Sequence, residues 1–170
     1  DTRESLLEKV RLATILGTFQ STLVNFKYVS KAWRNNCEEE RLLGVSLTGI
    51  MDCKVTNGKG PHGSLPAVLK DLKSMAVKTN KEFAEKLGIN QSVAVTCVKP
   101  SGTVSQLTDS ASGIHARHNP YYIRTVRGDK KDPLTKMMTD VGFPVEDDTM
   151  NPSHTSVFSF PMKVDDSAVF

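Results

Sequence analysis

Between Lys99 and Ser105 the chain reads KPSGTVS, a run of small and hydroxylated residues that follows a lysine and a proline. These residue types suit the binding of an anion. Pro100 has no N–H, so it ends any strand ladder that reaches it. Ser101, Gly102, Thr103 and Ser105 have short side chains, which lets main-chain N–H groups come close to an oxyanion. Gly102 can also take a positive φ that bulkier residues resist. A helix starting near Thr103 would aim its free N–H groups and the positive end of its dipole at the same point. Three hydroxyls stand ready to add hydrogen bonds. No lysine occupies the position that a nucleotide-hydrolysing P-loop requires. On residue types alone, two readings stay open: a phosphate cradle and a plain capped turn.

The other chemistry-bearing residues are less organised. His115 and His118 are spaced like metal ligands on a helix, but Gly113 and Pro120 flank them and point to a loop. With no third ligand nearby, no metal site is assigned; His62, in a glycine-rich loop, is given no role. Arg117, Arg124 and Arg127 are ambiguous. A strand arginine facing a cleft neutralises phosphate charge, whereas one paired with an acid does not. Cys37, Cys53 and Cys97 are odd in number and include no CxxC, so neither a disulfide framework nor a zinc knuckle is indicated. Each is read as a small buried hydrophobe, which fits a reducing, cytoplasmic setting. No nucleophile–base pair stands out, and no residue is assigned a catalytic role.

These residues need elements to position them. Apolar residues at Leu6, Val10, Ala13, Leu16, Phe19, Leu23 and Phe26 recur every three or four positions and predict a helix from Glu4 to about Tyr28, capped by Thr2 or Ser5. Residues 30–41 are polar, with Trp33 as the expected anchor. LLGVSLTGI (Leu42 to Ile50) reads as a short buried strand or strand–turn, and NGKGPHG (Asn57 to Gly63) as a loop. A helix capped by Ser64, with Pro66 in its first turn, runs to Gly88, and Leu65, Val68, Leu69, Leu72, Ala76, Phe83 and Leu87 line its apolar face. A strand over Val93 to Val98 leads into the KPSGTVS loop. HNPYYIRTVR (His118 to Arg127) is a second β-prone run. A short helix follows from Pro133 to Val141, with Asp132 as cap and Gly142 as stop. In the last strand Phe158, Phe160, Met162 and Val164 share a face, and Pro161 places that strand at an edge or a bend.

Helices and strands alternate at α/β spacing over the 170 residues. A composition of 38% hydrophobic and 24% charged residues, with mean hydropathy −0.30, argues against disorder and against a fibrous chain. A net charge of +3, spread without a basic stripe, argues against a nucleic-acid partner. No apolar run is long enough to span a membrane. The chain opens on Asp1 with helical patterning at once and stops just after a strand, so it is expected to be a segment of a longer polypeptide.

VKPSGTVSQLTDSASGIHARHNPYYIRTVR (Val98 to Arg127) resembles the adenosylcobalamin-dependent, class II ribonucleotide reductases, in particular the monomeric ribonucleoside-triphosphate reductase branch. The P-S-G-T-V-S loop, the S-G-I-H after it and the P-Y-Y-I-R-x-V-R strand carry the likeness in order. RLLGVSLTGIMD (Arg41 to Asp52) is similar to a glycine-containing segment of reductase large subunits. The resemblance implies that residues 1–170 are one segment, from the C-terminal half, of the ten-stranded α/β barrel of these enzymes. It implies that Ser101, Gly102, Thr103, Val104 and Ser105 hold the phosphates of a ribonucleoside di- or triphosphate, with Pro100 shaping the turn. It further implies adenosylcobalamin as cofactor, thioredoxin as reductant and the remainder of the reductase chain as partner. The family works through a thiyl radical on a cysteine finger loop. None of Cys37, Cys53 or Cys97 matches that loop, so the radical cysteine is expected upstream. Two alternatives remain: a segment of a class I large subunit with a metal-containing partner subunit, and a non-catalytic module that binds nucleotide phosphate.

Overall fold

The computed structural model describes residues 1–61, 64–166 and 168–170. In chain order the elements are α1 (Arg3–Gln20), α2 (Lys31–Glu40), α3 (Ser64–Leu87), α4 (Val104–Leu107), β1 (Tyr121–Asp129), α5 (Pro133–Asp140), β2 (Val145–Asp147) and β3 (Thr155–Lys163). They fall into two compact units, Asp1–Arg117 with Ser167–Phe170, and His118–Asp166. His62 and Gly63, the end of the expected glycine-rich loop, lie outside the described residues.

In the first unit α1 starts in a capping box. Thr2 Oγ1 accepts from the Ser5 N–H at 3.2 Å, and Ser5 Oγ accepts from the Thr2 N–H at 3.0 Å. The helix ends at Gln20 rather than near Tyr28. The hydroxyls of Ser21 and Thr22 each donate at 2.7 Å, to the carbonyls of Thr18 and Phe19, which offers the backbone a partner outside the helix. Its buried stripe is Leu6, Val10, Thr14 and Thr18, not the apolar series through Ala13 and Leu16; Leu16 is 71% exposed. Both threonines are buried without penalty because their hydroxyls donate at 2.7 Å to the carbonyls four residues back.

The core joins Leu6 and Val10 of α1 to Val68, Leu72 and Ala76 of α3, and to Val95. Behind it the fully buried Asn80 amide donates to Thr18 Oγ1 at 3.0 Å and to Ser92 Oγ at 2.9 Å, and accepts from the Ser92 N–H at 2.9 Å. Gly88 closes α3 at φ +65°, as the sequence predicts.

The two expected strands of this unit are extended but form no ladder beyond one parallel bridge, Val45 to Thr96. Leu43 N–H donates to Ala94 O, Val45 N–H to Val95 O and Cys97 N–H to Val45 O, at 2.9 to 3.1 Å. Val95 reaches the core but Val93 and Val98 are each 76% exposed, so this stretch is not buried along its length. Trp33, on α2, is 62% exposed, so it is not the buried anchor expected of it.

The second unit follows its sequence more closely. Asp132 caps α5 by accepting from the Leu134 N–H at 2.8 Å, Pro133 is the first helical residue, and Gly142 follows at φ +80°. The sheet order is β1-β3-β2, all antiparallel, with Tyr121 opposite Lys163 and Asp129 opposite Thr155. The α/β spacing of the sequence is realised as mixed helix and a small antiparallel sheet. Pro161 faces Ile123 of β1 beyond the end of β2, so at that point β3 is an edge. A β-carbon on Gly128 would lie 2.5 Å from Thr135 Oγ1, so glycine is what lets α5 rest on β1.

Candidate functional site

The first unit brings the two motif segments together. Residues 42–48 and 99–104, with Leu16, Gly17 and Gln20 of α1, line an open cleft of about 890 Å³. Thr48 and Ser101, 53 positions apart, share a hydroxyl–hydroxyl hydrogen bond of 2.6 Å. The Gly113 N–H donates to both hydroxyls, at 3.0 Å to Thr48 and 2.8 Å to Ser101, and Ser112 Oγ donates to Ser101 O at 2.5 Å. Gly113 sits at φ +56° and Gly49 at φ +68°; a β-carbon on Gly49 would meet Ser110 Cβ at 2.8 Å. The Ser110–Gly113 stretch therefore closes tightly on the back of the loop.

This closure decides which groups of the loop are free. Ser101 Oγ is engaged with Thr48 and Gly113. Ser105 is wholly buried, and its hydroxyl donates to the carbonyls of Ser101 at 2.9 Å and Gly102 at 3.1 Å. Two of the three expected hydroxyls thus hold the loop in shape, and Thr103 keeps the exposed one. The N–H groups of Ser101, Gly102 and Thr103 make no hydrogen bond among the described residues. Those of Val104 and Ser105 open α4, where a helix has no partners for them. α4 is a single turn of four residues, so its dipole contributes little, and the loop amides are the donors left free among the described residues. Gly102 does not take a positive φ. Its value is space: it lines the cleft, and an added β-carbon would meet nothing within 4 Å.

The arginines resolve differently from one another. Arg117 Nη2 donates to Asp52 Oδ2 at 3.2 Å and to Asp109 O at 2.6 Å, so it braces the loop from behind. Arg127, in the second unit, donates to Asp148 Oδ1 at 2.8 Å. Arg124 is half-buried on β1 of that unit. Cys97 is exposed, contrary to the buried position expected of it, because the strand that carries it has a neighbour on one side only. Cys37 and Cys53 are half-buried. Among the described residues no three His, Cys, Asp or Glu side chains cluster as metal ligands, and no helix is long and apolar enough to cross a membrane. The sequence predicts that Gly44 lets another backbone approach. Thr48 and Ser112 lie in LLGVSLTGI and S-G-I-H, but no role is expected of either, and only the fold puts their hydroxyls behind Ser101.

The adenosylcobalamin-dependent ribonucleoside-triphosphate reductase of Lactobacillus gasseri is 30% identical to this chain over 153 residues, covering 76% of the chain and 20% of the reductase. This chain is a homologue of one segment of the class II ribonucleotide reductases. The Euglena gracilis enzyme of the same name is 29% identical over 184 residues, covering 96% of the chain and 25% of that enzyme. A crystal structure of a B12-dependent, class II ribonucleotide reductase superposes with a TM-score of 0.74 at 25% identity, over 95% of this chain and 25% of that one. The chain thus spans a fifth to a quarter of the length of its class II relatives. No family model matches it.

Proposed function

We propose that this chain supplies the substrate-phosphate wall of a ribonucleotide reductase that converts ribonucleotides to deoxyribonucleotides by thiyl-radical chemistry. The observation that carries the reading is the row of N–H groups from Ser101 to Thr103 that have no partner among the described residues, held at the edge of the cleft by a loop whose own hydroxyls keep it rigid. Amides fixed in advance toward a developing or resident oxyanion bind it without reorganising. In this reading the N–H groups of Ser101, Gly102, Thr103, Val104 and Ser105 donate to phosphate oxygens, Thr103 adds its hydroxyl, and Pro100 sets the turn. Residues 1–170 form one segment of the ten-stranded barrel, and the exposed edge at Val93 and Val98 is where further strands pair.

No residue of this segment is assigned to the chemical step; the radical cysteine and the reducing cysteines belong to the remainder of the reductase, with thioredoxin as the reductant. Adenosylcobalamin, the cofactor of the complete enzyme, supplies the radical. The lining of this cleft, with apolar side chains, hydroxyls, the Gln20 amide and the Lys99 ammonium, does not form a cradle for it, so none of its contacts is placed here.

The test is reduction of a ribonucleotide by the complete polypeptide carrying this segment. Deoxynucleotide formation that depends on adenosylcobalamin, with a cobalt(II)–thiyl signal in spin resonance, is the expected result. Turnover that needs a metal-containing partner subunit instead would move the chain to class I. Nucleotide binding without any reduction would make it a non-catalytic module.

A further inference from the structure

We propose that Lys99 is the cation that neutralises the bound phosphate in this cleft, and that residue 44 is glycine so that its ammonium can lie there. The inference rests on the phosphate-loop reading of residues 100–105 and adds to it a charge that the loop lacks. Among the described residues lining the cleft, Lys99 alone has a charged side chain. Its main chain is pinned beside the loop, because the Lys99 N–H donates to Ser46 Oγ at 3.1 Å. Its side chain folds back over Gly44: a β-carbon at residue 44 would lie 2.6 Å from Lys99 Cε and 2.7 Å from Nζ. No side chain fits at residue 44 while the lysine keeps this place.

The lysine is also unspoken for. Arg117 and Arg127 each pair with aspartates, whereas Lys99 makes no ion pair among the described residues. The loop presents only neutral donors, the amides and the Thr103 hydroxyl. A phosphate group brings close to two negative charges, and a charge-assisted hydrogen bond is roughly twice as strong as a neutral one. An ammonium on a flexible four-carbon stem reaches phosphate oxygens at varied positions, which suits the outer phosphates of a nucleoside di- or triphosphate.

The experiment is calorimetric titration of the complete polypeptide with inorganic tripolyphosphate, for the wild type and four variants. Lys99→Met is expected to weaken binding on the order of tenfold, and Lys99→Arg to stay within about threefold of wild type because the charge is kept. Gly44→Ala is expected to weaken binding although it removes no charge, since its methyl displaces the lysine tip. Gly102→Val reports on the loop itself. If Gly102→Val weakens binding and Lys99→Met does not, the lysine assignment is overturned and the loop reading stands. Equal losses in Lys99→Met and Lys99→Arg also overturn it, because charge would then not matter. A wild type that binds no tripolyphosphate, or one whose affinity Gly102→Val leaves unchanged, overturns the loop reading and this inference together.

Discussion

Asp52 and Arg117 are partners across 65 positions of sequence: Asp52 Oδ2 accepts from Arg117 Nη2 at 3.2 Å and from Nε at 3.3 Å, with the two side chains 14% and 7% exposed. The same oxygen accepts from the Ala111 N–H at 2.6 Å. The pair therefore ties the Arg41–Asp52 motif to the stretch that follows the KPSGTVS loop. Removing one member of a buried ion pair costs more than the pair contributes, because the other charge is left desolvated. Asp52→Ala is expected to destabilise the chain by about 3 kcal/mol, read by urea denaturation, and to loosen the loop. A loss below about 1 kcal/mol would show that Asp109 alone is enough for Arg117.

Gly102→Val is expected to separate binding from folding. The added side chain points into open space in the cleft, so the melting temperature should hold. The Michaelis constant of the complete enzyme for its ribonucleotide should rise at least about tenfold, equivalent to about 1.4 kcal/mol. An unchanged Michaelis constant would remove residues 101–105 from the binding site.

Asn80 tests the buried polar hub. Its amide has both donors and its acceptor engaged by Thr18 and Ser92. Asn80→Ala strands those partners in the interior, and a cost of about 2 to 3 kcal/mol is expected. Thermal unfolding of the variant measures it; a change within about 0.5 kcal/mol would mean that the network adds nothing net.

Asp148 gives the second unit a pH dependence. The Arg127 guanidinium, joined by the Asn151 and Met150 N–H groups, holds its carboxyl below the ordinary carboxylate range, against the opposing effect of desolvation. The folded state favours the charged form. Its stabilisation is therefore present above the pKa of the unfolded chain, about 3.9, and is lost as pH falls through the lower folded value. Melting measured across the acid range should show the second unit weakening there. Asp148→Asn should flatten that dependence; a slope unchanged in the variant would assign the acid sensitivity to other carboxylates.

Much of this was legible without coordinates, and it was legible where the signal is local. Asp132, Pro133 and Gly142 bound α5, and Gly88 stops α3, because caps and left-handed turns are read within a few residues. The alternation of Phe158, Phe160 and Met162 fixes the facing of β3 for the same reason. The KPSGTVS stretch announced small residues at a turn, and its extended resemblance carried the family likeness further than periodicity could.

What failed were judgements that depended on a distant neighbour, although the α1 and α3 faces through Leu6, Val10, Val68, Leu72 and Ala76 did reach the core. Thr14 and Thr18 entered the core in place of Ala13 and Leu16, since a hydroxyl bonded to the carbonyl four residues back is no longer a polar cost. Trp33, Val93 and Cys97 stayed exposed, because burial belongs to the partner as much as to the residue. The sequence by itself determined that a small, hydroxylated loop follows Lys99. Only the tertiary structure decided that Ser101 and Ser105 shape that loop, that the N–H groups of residues 101–103 have no partner among the described residues, and that the Lys99 side chain lies over Gly44. The Ser105 bonds are local, to carbonyls three and four residues back. The place of Ser101 and of the lysine rests on contacts across more than 50 positions, as with Thr48 and Ser101 and Gly44 and Lys99, which no local propensity encodes.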